Sequence, residues 1–188
     1  MQLLSKKFEI LDLAQEMMQK RGYNGFSYAD ISEAVGIRKA SIHHYFPSKA
    51  SMGVAVIRRY RKIFNGHLEN IDKEEKNWLN RVNKYTKLYE PVLLENKLCL
   101  CGMLAADIET LPKILKKEIR DFFVDNVDWL SNNLKLHYKN ISKKRLSELS
   151  WKIIASLQGA IMMARMSDNV DIFFFTAKEL LIQLEKSN

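Results

Sequence analysis

The sequence is short of the residues that punctuate or staple a chain. Seven glycines and three prolines among 188 residues leave few of the turns that a β architecture needs, so helices are predicted. Its two cysteines, Cys99 and Cys101, stand two positions apart and would face different directions on a helix, where a disulfide between them would be strained. They cannot staple a fold, and a reducing cytoplasm is the simpler setting. Among the four histidines (His43, His44, His67 and His137) no three ligands fall at zinc spacing. Nucleophile elbow, phosphate-cradling loop and dinucleotide glycine pattern are all missing. An enzyme is therefore not expected, nor a metal or cofactor. No apolar run approaches the ~20 residues of a membrane span, and the amino end shows no cleavable signal pattern.

Acid is scarce in one place where base is plentiful. From Ala34 to Leu68 there are seven basic residues (Arg38, Lys39, Lys49, Arg58, Arg59, Arg61, Lys62) and no Asp or Glu. Such a field suits a phosphate backbone, where each cation contact releases counterions. The whole chain carries a formal charge of +8, which favours an anionic partner without choosing between nucleic acid and membrane. Residues 1–70 hold 11 basic and 6 acidic groups, a net of +5, against +3 over the remaining 118. Charge is concentrated at the amino end.

The stretch Ser27 to Lys49 reads as two short helices around a tight turn. Ser27 is a good N-cap; Ala29, Ile31 and Ala34 or Val35 suit one buried stripe; Gly36 stands where a helix end wants a left-handed residue. After Ile37 plugs the turn, a second helix from about Lys39 carries Ile42, Tyr45 and Phe46 at buried spacing. Its other face shows Lys39, Ser41, His43 and His44, all hydrogen-bond donors. Pro47 ends it. This is the helix-turn-helix plan, whose second helix enters the DNA major groove; two core helices with a solvated basic face are the plainer alternative.

These residues resemble the TetR/AcrR-type transcriptional regulators. The likeness is carried by Arg21-Gly22-Tyr23, Gly25-Phe26-Ser27, Asp30-Ile31, Gly36-Ile37 and the run Ser41-Ile42-His43-His44-Tyr45-Phe46-Pro47-Ser48-Lys49, and it covers roughly the first sixty residues. His43 stands where that family usually has Tyr, which bears on the DNA read. Ser32 and Val35 stand where Ala is commoner, which bears on helix packing. The resemblance implies an all-α protein: a three-helix DNA-binding head over residues 1–48, then a helical ligand-binding and dimerisation body over 49–188, with 49–68 as the connecting helix. Expected DNA contacts are Ser27, Arg38, Lys39, Ser41, His43, His44, Tyr45 and Lys49. Of these, Lys39, Ser41, His43 and His44 would face the groove, while Ser27, Tyr45 and Lys49 would fix phosphates. Tyr45 could instead pack under the helix.

Helical spacing continues beyond the motif. A first helix runs from an N-cap at Ser5 to about Arg21, with Phe8, Leu11, Ala14 or Gln15, and Met18 on one stripe. The connecting helix, apolar at Met52, Val56, Ile57, Tyr60 and Phe64, carries Arg58, Arg59, Arg61 and Lys62 on its outer face. Polar residues from Glu69 to Asn77 mark a boundary. The next pattern starts at Trp78 and should break near Glu90 because of Pro91. A short apolar helix spans about Leu98 to Glu109, and a long one runs from Pro112 to about Lys139. Ser142 caps another, Asp168 and Asn169 turn the chain, and a last helix runs from about Val170 to Glu185.

Two readings stay open for the aromatic and methionine residues of the body, plain core or a ligand cavity. The resemblance implies an inducer held among the central helices; candidates are Tyr85, Tyr89, Cys101, Met103, Asp107, Phe122, Phe123, Trp151, Gln158 and Met162. It also implies a homodimer formed through the last two helices, with Ile153, Leu157, Ala160, Phe173, Phe174 and Leu181 as interface residues. The whole describes a cytoplasmic, inducer-released repressor of a near-palindromic operator, without a membrane partner. Two alternatives are a regulator sensing oxidants or electrophiles through Cys99 and Cys101, and a basic membrane-surface helical protein.

Overall fold

A computed structural model describes the backbone of residues 2–186 and the side chains of residues 6–186. Among these the chain forms ten α-helices, one short 3-10 turn and no strand. The helices are α1 (Gln2–Arg21), α2 (Tyr28–Val35), α3 (Lys39–Tyr45), α4 (Lys49–Glu74), α5 (Trp78–Lys87), α6 (Glu90–Leu94), α7 (Leu100–Ala106), α8 (Lys113–Lys135), α9 (Lys143–Met166) and α10 (Asp171–Lys186). The all-α expectation holds. The chain divides into two compact units, one made of residues 1–62 and 100–121, the other of residues 63–99 and the chain from Phe122 onward.

Local chemistry explains most of the boundaries. The start of α1 lies ahead of Ser5, whose side chain falls outside the described residues. Gly22 ends the helix at φ 75, donating its amide to Met18 O at 3.0 Å. The connecting helix does not stop near Leu68: α4 continues to Glu74 because Leu68 and Ile71 extend its buried stripe, and the polar residues between them are compatible with a helix. Pro91 sits in the first turn of α6, where a missing amide costs little, so the expected break falls between α5 and α6. The Ser142 cap is formed, its hydroxyl accepting from Arg145 N at 3.2 Å. Toward its end α8 stops at Lys135, earlier than spacing suggests, and Tyr138 beyond it donates its hydroxyl to Leu184 O at 2.7 Å.

In the first unit α1 packs on α2 and on α7. Leu11, Ala14 and Met18 are buried on α1 as expected, but Phe8 is 52% exposed and Ile10 takes its place at the start of the stripe. Residues 100–121 join the head through specific contacts. Asn24 Nδ2 donates to Thr110 Oγ1 at 2.7 Å. A Cβ on Gly22 would lie 2.6 Å from Asp107 Oδ2, so that position admits no side chain without a shift. Buried Glu118 accepts from Arg58 Nη2 at 2.6 Å and from Nε at 2.9 Å.

The second unit is built around aromatic rings with a polar thread. Tyr85 is fully buried and its ring stacks on Trp129, centroids 5.6 Å apart; Phe64 lies edge-on to Phe122 at 5.2 Å. Asn126 donates through Nδ2 to Phe122 O at 2.7 Å, which leaves its Oδ1 to accept from the Tyr85 hydroxyl at 3.0 Å. The Tyr85 oxygen then accepts from the Tyr89 hydroxyl at 2.9 Å. Burial holds the Tyr85 phenol far above the usual tyrosine range. Asp72 is gripped by Trp129 Nε1 at 2.9 Å and Arg81 Nη1 at 3.1 Å. Against this core α10 packs on α9 and α5.

Replacing Tyr85 by Phe is expected to cost about 1–3 kcal/mol, since both hydroxyl and amide partners lose their buried hydrogen bonds. Chemical denaturation of the two proteins measures it; a difference of a few tenths would show that the thread contributes nothing.

Candidate nucleic-acid interface

The motif between α2 and α3 is locked locally at both ends. Ser27 Oγ accepts from the amides of Ala29 and Asp30 at 3.1 and 3.4 Å, and Ser27 N donates to Asp30 Oδ2 at 2.6 Å, completing a capping box. Hydrogen bonds from Ser27 hold the Asp30 carboxyl below its usual range. At the far end Gly36 adopts φ 68 and ψ 36, a left-handed conformation that costs a side-chain-bearing residue about 1 kcal/mol or more. Ile37 N donates to Ser32 O at 3.1 Å, and Ser32 Oγ donates to Ile37 O at 2.5 Å. The serine that departs from the usual alanine thus closes the turn.

Packing then fixes the face that α3 shows. The buried residues of α2 are Tyr28, Ile31 and Val35, while Ala29 and Ala34 are exposed, a rotation from the expected stripe. Ile42 is fully buried and Phe46 nearly so; Tyr45 is half-buried. Tyr28 donates its hydroxyl to Phe46 O at 2.8 Å, tying the first helix to the end of the second. Arg38, Lys39, Ala40, Ser41, His43 and His44 remain exposed. The His43 ring packs on Tyr28 at a centroid distance of 4.8 Å, with Nδ1 3.4 Å from Pro47 O. The His44 ring meets the edge of Tyr45 at 5.7 Å.

Two expected phosphate ligands, Ser27 and Lys49, also make contacts within the head. Ser27 spends its hydroxyl on the capping box, including a bond to Asp30 Oδ2 at 2.7 Å. The Lys49 ammonium donates to Phe26 O and sits 4.2 Å over the Phe26 ring and 4.7 Å over that of Tyr23, a cation–π pair. Burial there lowers its pKa. The basic field also contracts. Arg58 pairs with Glu118 at 2.6 Å, Arg59 with Asp12 at 2.6 Å and Arg61 with Asp121 at 3.4 Å. Carboxylates distant in sequence neutralise the outer face of α4, leaving Arg38 and Lys39 as exposed cations beside the reading surface.

The candidate inducer residues do not form one group. Tyr85, Tyr89 and Phe122 meet in the second unit's core, joined by Phe64, which spacing placed on the apolar stripe of the connecting helix, and by Asn126 and Trp129, which it had not singled out. Cys101, Met103 and Asp107 belong to the first unit, where Met103 and Asp107 approach Gly22. Phe123 is half-buried and reaches Trp151 at 6.4 Å, but Trp151 and Met162 are 46% and 45% exposed. Gln158 is half-buried, with its Nε2 atom buried and unpartnered. Surface clefts of about 340 and 320 Å³ in the second unit are lined by α8 with α9 and by α8 with α4; neither includes an expected inducer residue, though Trp129 lines the second. Cys99 and Cys101 are fully buried, a poor situation for a sensing cysteine, which needs access.

The expected interface residues divide by burial. Ile153, Leu157, Ala160 and Phe173 lie inside the protomer's own core, because they form the face by which α9 and α10 pack within the chain, and so are not available to a partner. Phe174 is 39% exposed and Leu181 half-buried. The outward apolar stripe consists instead of Trp151, Ala155, Met162, Met163 and Met166 on α9, with Phe174 and Phe175 on α10.

A glycine-closed pair of helices, capped at its start and presenting an acid-free second helix, defines a helix-turn-helix DNA-binding regulator. Comparison with known proteins agrees. Residues 10–56 match the model of the "Bacterial regulatory proteins, tetR family". The crystal structure of a TetR transcriptional regulator from Legionella pneumophila is similar with a TM-score of 0.84 and 30% identity, over 92% of this chain and 93% of that one. An uncharacterized HTH-type transcriptional regulator in the lacX 3′ region of Lactococcus lactis subsp. lactis is 24% identical over 90% of this chain and 88% of that protein. The HTH-type transcriptional repressor NemR of Escherichia coli (strain K12) is 27% identical over 51% of this chain and 46% of its own length. The chain belongs to the tetR family of bacterial regulatory proteins. It is a non-enzymatic DNA-binding transcriptional regulator, and no helix among the described residues is long and apolar enough to cross a membrane.

The Tyr28 hydroxyl gives a pH test of how the motif is held. Burial and the neighbouring Tyr23 push its pKa up to about 12 from 10.0. A raised folded-state value means that this stability is intact below pH 10 and drains away as pH climbs through about 12. Tyr28→Phe, measured by urea midpoint, is expected to be less stable at neutral pH and to fall less steeply across that alkaline window. Parallel pH curves for the two proteins would contradict it.

Proposed function

We propose that the protein is a homodimeric transcriptional repressor, acting in the cytoplasm, that leaves a near-palindromic operator when a small-molecule inducer binds. The observation that carries this is the fixed outer face of α3, where Lys39, Ser41, His43 and His44 stand exposed and free of acid on a turn held from both sides. In this reading residues 1–48 are the DNA-binding head and 49–188 the body, with 49–68 connecting them. Lys39, Ser41, His43 and His44 meet base edges, Arg38 and Tyr45 lie against the backbone, and Ser27 and Lys49 support the head from within while facing phosphates at most with their margins. The repressor named among the relatives lends support to the sign of regulation. Inducer binding acts by preferring a body conformation in which the two heads no longer match two half-sites one DNA turn apart.

A gel-shift of the purified protein against its own promoter region, titrated with salt and competitor DNA, tests this. A competitor-resistant complex is expected, and Arg38→Ala should weaken binding to every sequence alike and flatten the salt slope by about one counterion. Binding that vanishes with modest salt and shows no sequence preference would reject it.

The dimer rests on the exposed stripe of α9. Trp151, Ala155, Met162 and Met166 lie on one helix face at spacings of four, seven and four residues, and Met166 is 72% exposed, a larger apolar face than an isolated surface helix normally shows. Met162→Asp is expected to yield monomers by analytical ultracentrifugation with an unchanged helical circular dichroism spectrum. A dimer that persists at micromolar concentration would move the interface elsewhere.

A further inference from the structure

We propose that His43 reads its base as a hydrogen-bond acceptor, so that each half-site carries an adenine or a cytosine, a base with an exocyclic amine, opposite this residue. The inference rests on α3 being the groove helix and adds to it the polarity of one contact. His43 Nδ1 lies 3.4 Å from Pro47 O. A carbonyl oxygen has no proton to give, so in that contact Nδ1 carries the hydrogen. A neutral imidazole protonated at Nδ1 has its lone pair at Nε2.

The ring is held in place by more than one contact. It packs on Tyr28 at 4.8 Å, and Tyr28 is itself anchored through its hydroxyl to Phe46 O at 2.8 Å. Both restraints come from the fold, so the tautomer and position of the ring are set before DNA arrives, and little ordering is left to be done on binding. His43 is exposed, and its Nε2 has no hydrogen-bond partner among the described residues. Around it on α3, Lys39 is purely a donor and Ser41 can act as either donor or acceptor. In its neutral form His43 therefore brings an acceptor at Nε2 to a surface otherwise well supplied with donors. In the major groove the complements of an acceptor are the amines at adenine N6 and cytosine N4. Guanine O6 and N7 and thymine O4 would set lone pair against lone pair.

Selection from a pool of randomised duplexes at fixed salt, run in parallel with the natural protein, His43→Ala and His43→Lys, reads this directly. The natural protein is expected to enrich adenine or cytosine at one symmetry-related position. His43→Ala should lose the preference at that position alone, and His43→Lys, a donor, should switch it to guanine. On a selected duplex with adenine there, replacing it by purine, which lacks the amine, should weaken the natural protein about tenfold and leave His43→Ala unchanged. An adenine-free selection is treated likewise, with the cytosine amine removed. Unchanged affinity of the natural protein when the amine is removed from the enriched base pair would overturn the inference, as would a His43→Ala profile identical at every position. If no protein enriches any sequence, the groove assignment of α3 fails with it, and the two failures are told apart by whether other positions show a preference.

Discussion

The tight turn at Gly36 is the constraint on which the DNA-reading surface depends. A left-handed residue there reverses the chain within a few positions, and the Ser32 hydroxyl on Ile37 O holds the reversal closed. Only with that geometry can Ile31 and Val35 of α2 share a core with Ile42 of α3. Once Ile42 is turned inward, helical periodicity obliges Lys39, Ser41, His43 and His44 to face outward. The Tyr28 hydroxyl on Phe46 O closes the loop from the other side. The exposed face of α3 is thus a consequence of burial, with its own residues contributing little to holding it.

Electrostatics in the first unit separate structural from presented charge. Arg58, Arg59 and Arg61 fall within four positions of one another in sequence, yet each finds a carboxylate from α1 or α8. The Arg58 pair with Glu118 is the most consequential, since that carboxylate is buried and would be strongly destabilising without its partner. Such pairs stitch residues 100–121 to the head. They also subtract from the field that DNA would meet, which leaves the balance with Arg38 and Lys39. A basic membrane-surface protein loses support on the same ground, because three of the four cations it would use on α4 are paired with carboxylates, although Lys62 is exposed.

In the second unit the aromatic residues serve first as core. Tyr85, Tyr89 and Phe122 are buried around an amide and each other, with hydrogen bonds that satisfy every polar atom of the thread described. Exposed apolar residues stand on α9 and α10 instead, among them Trp151, Met162, Met166 and Phe175. Burial, rather than composition, tells the two groups apart: Ile153 and Met163 are both apolar and ten residues apart on one helix, but one is 1% and the other 47% exposed.

The sequence by itself determined the all-helical class, the motif, its caps at Ser27 and Gly36, the break at Pro91 and the Ser142 cap, because each of these depends on backbone preferences and spacing within a few residues. It also singled out the exposed residues of α3, since an apolar stripe on a short helix defines its opposite face. Only the tertiary structure decided the rest. Whether Arg58 faces phosphate or Glu118 depends on a residue sixty positions away; whether Lys49 points outward depends on the Phe26 carbonyl and two rings. Assignment of residues 100–121 to the head, and of Ile153, Leu157 and Phe173 to the protomer core, likewise required knowing which helices are neighbours. Local periodicity says that a residue is on a face. What covers that face is a non-local fact, fixed by packing between segments that no window of the sequence contains.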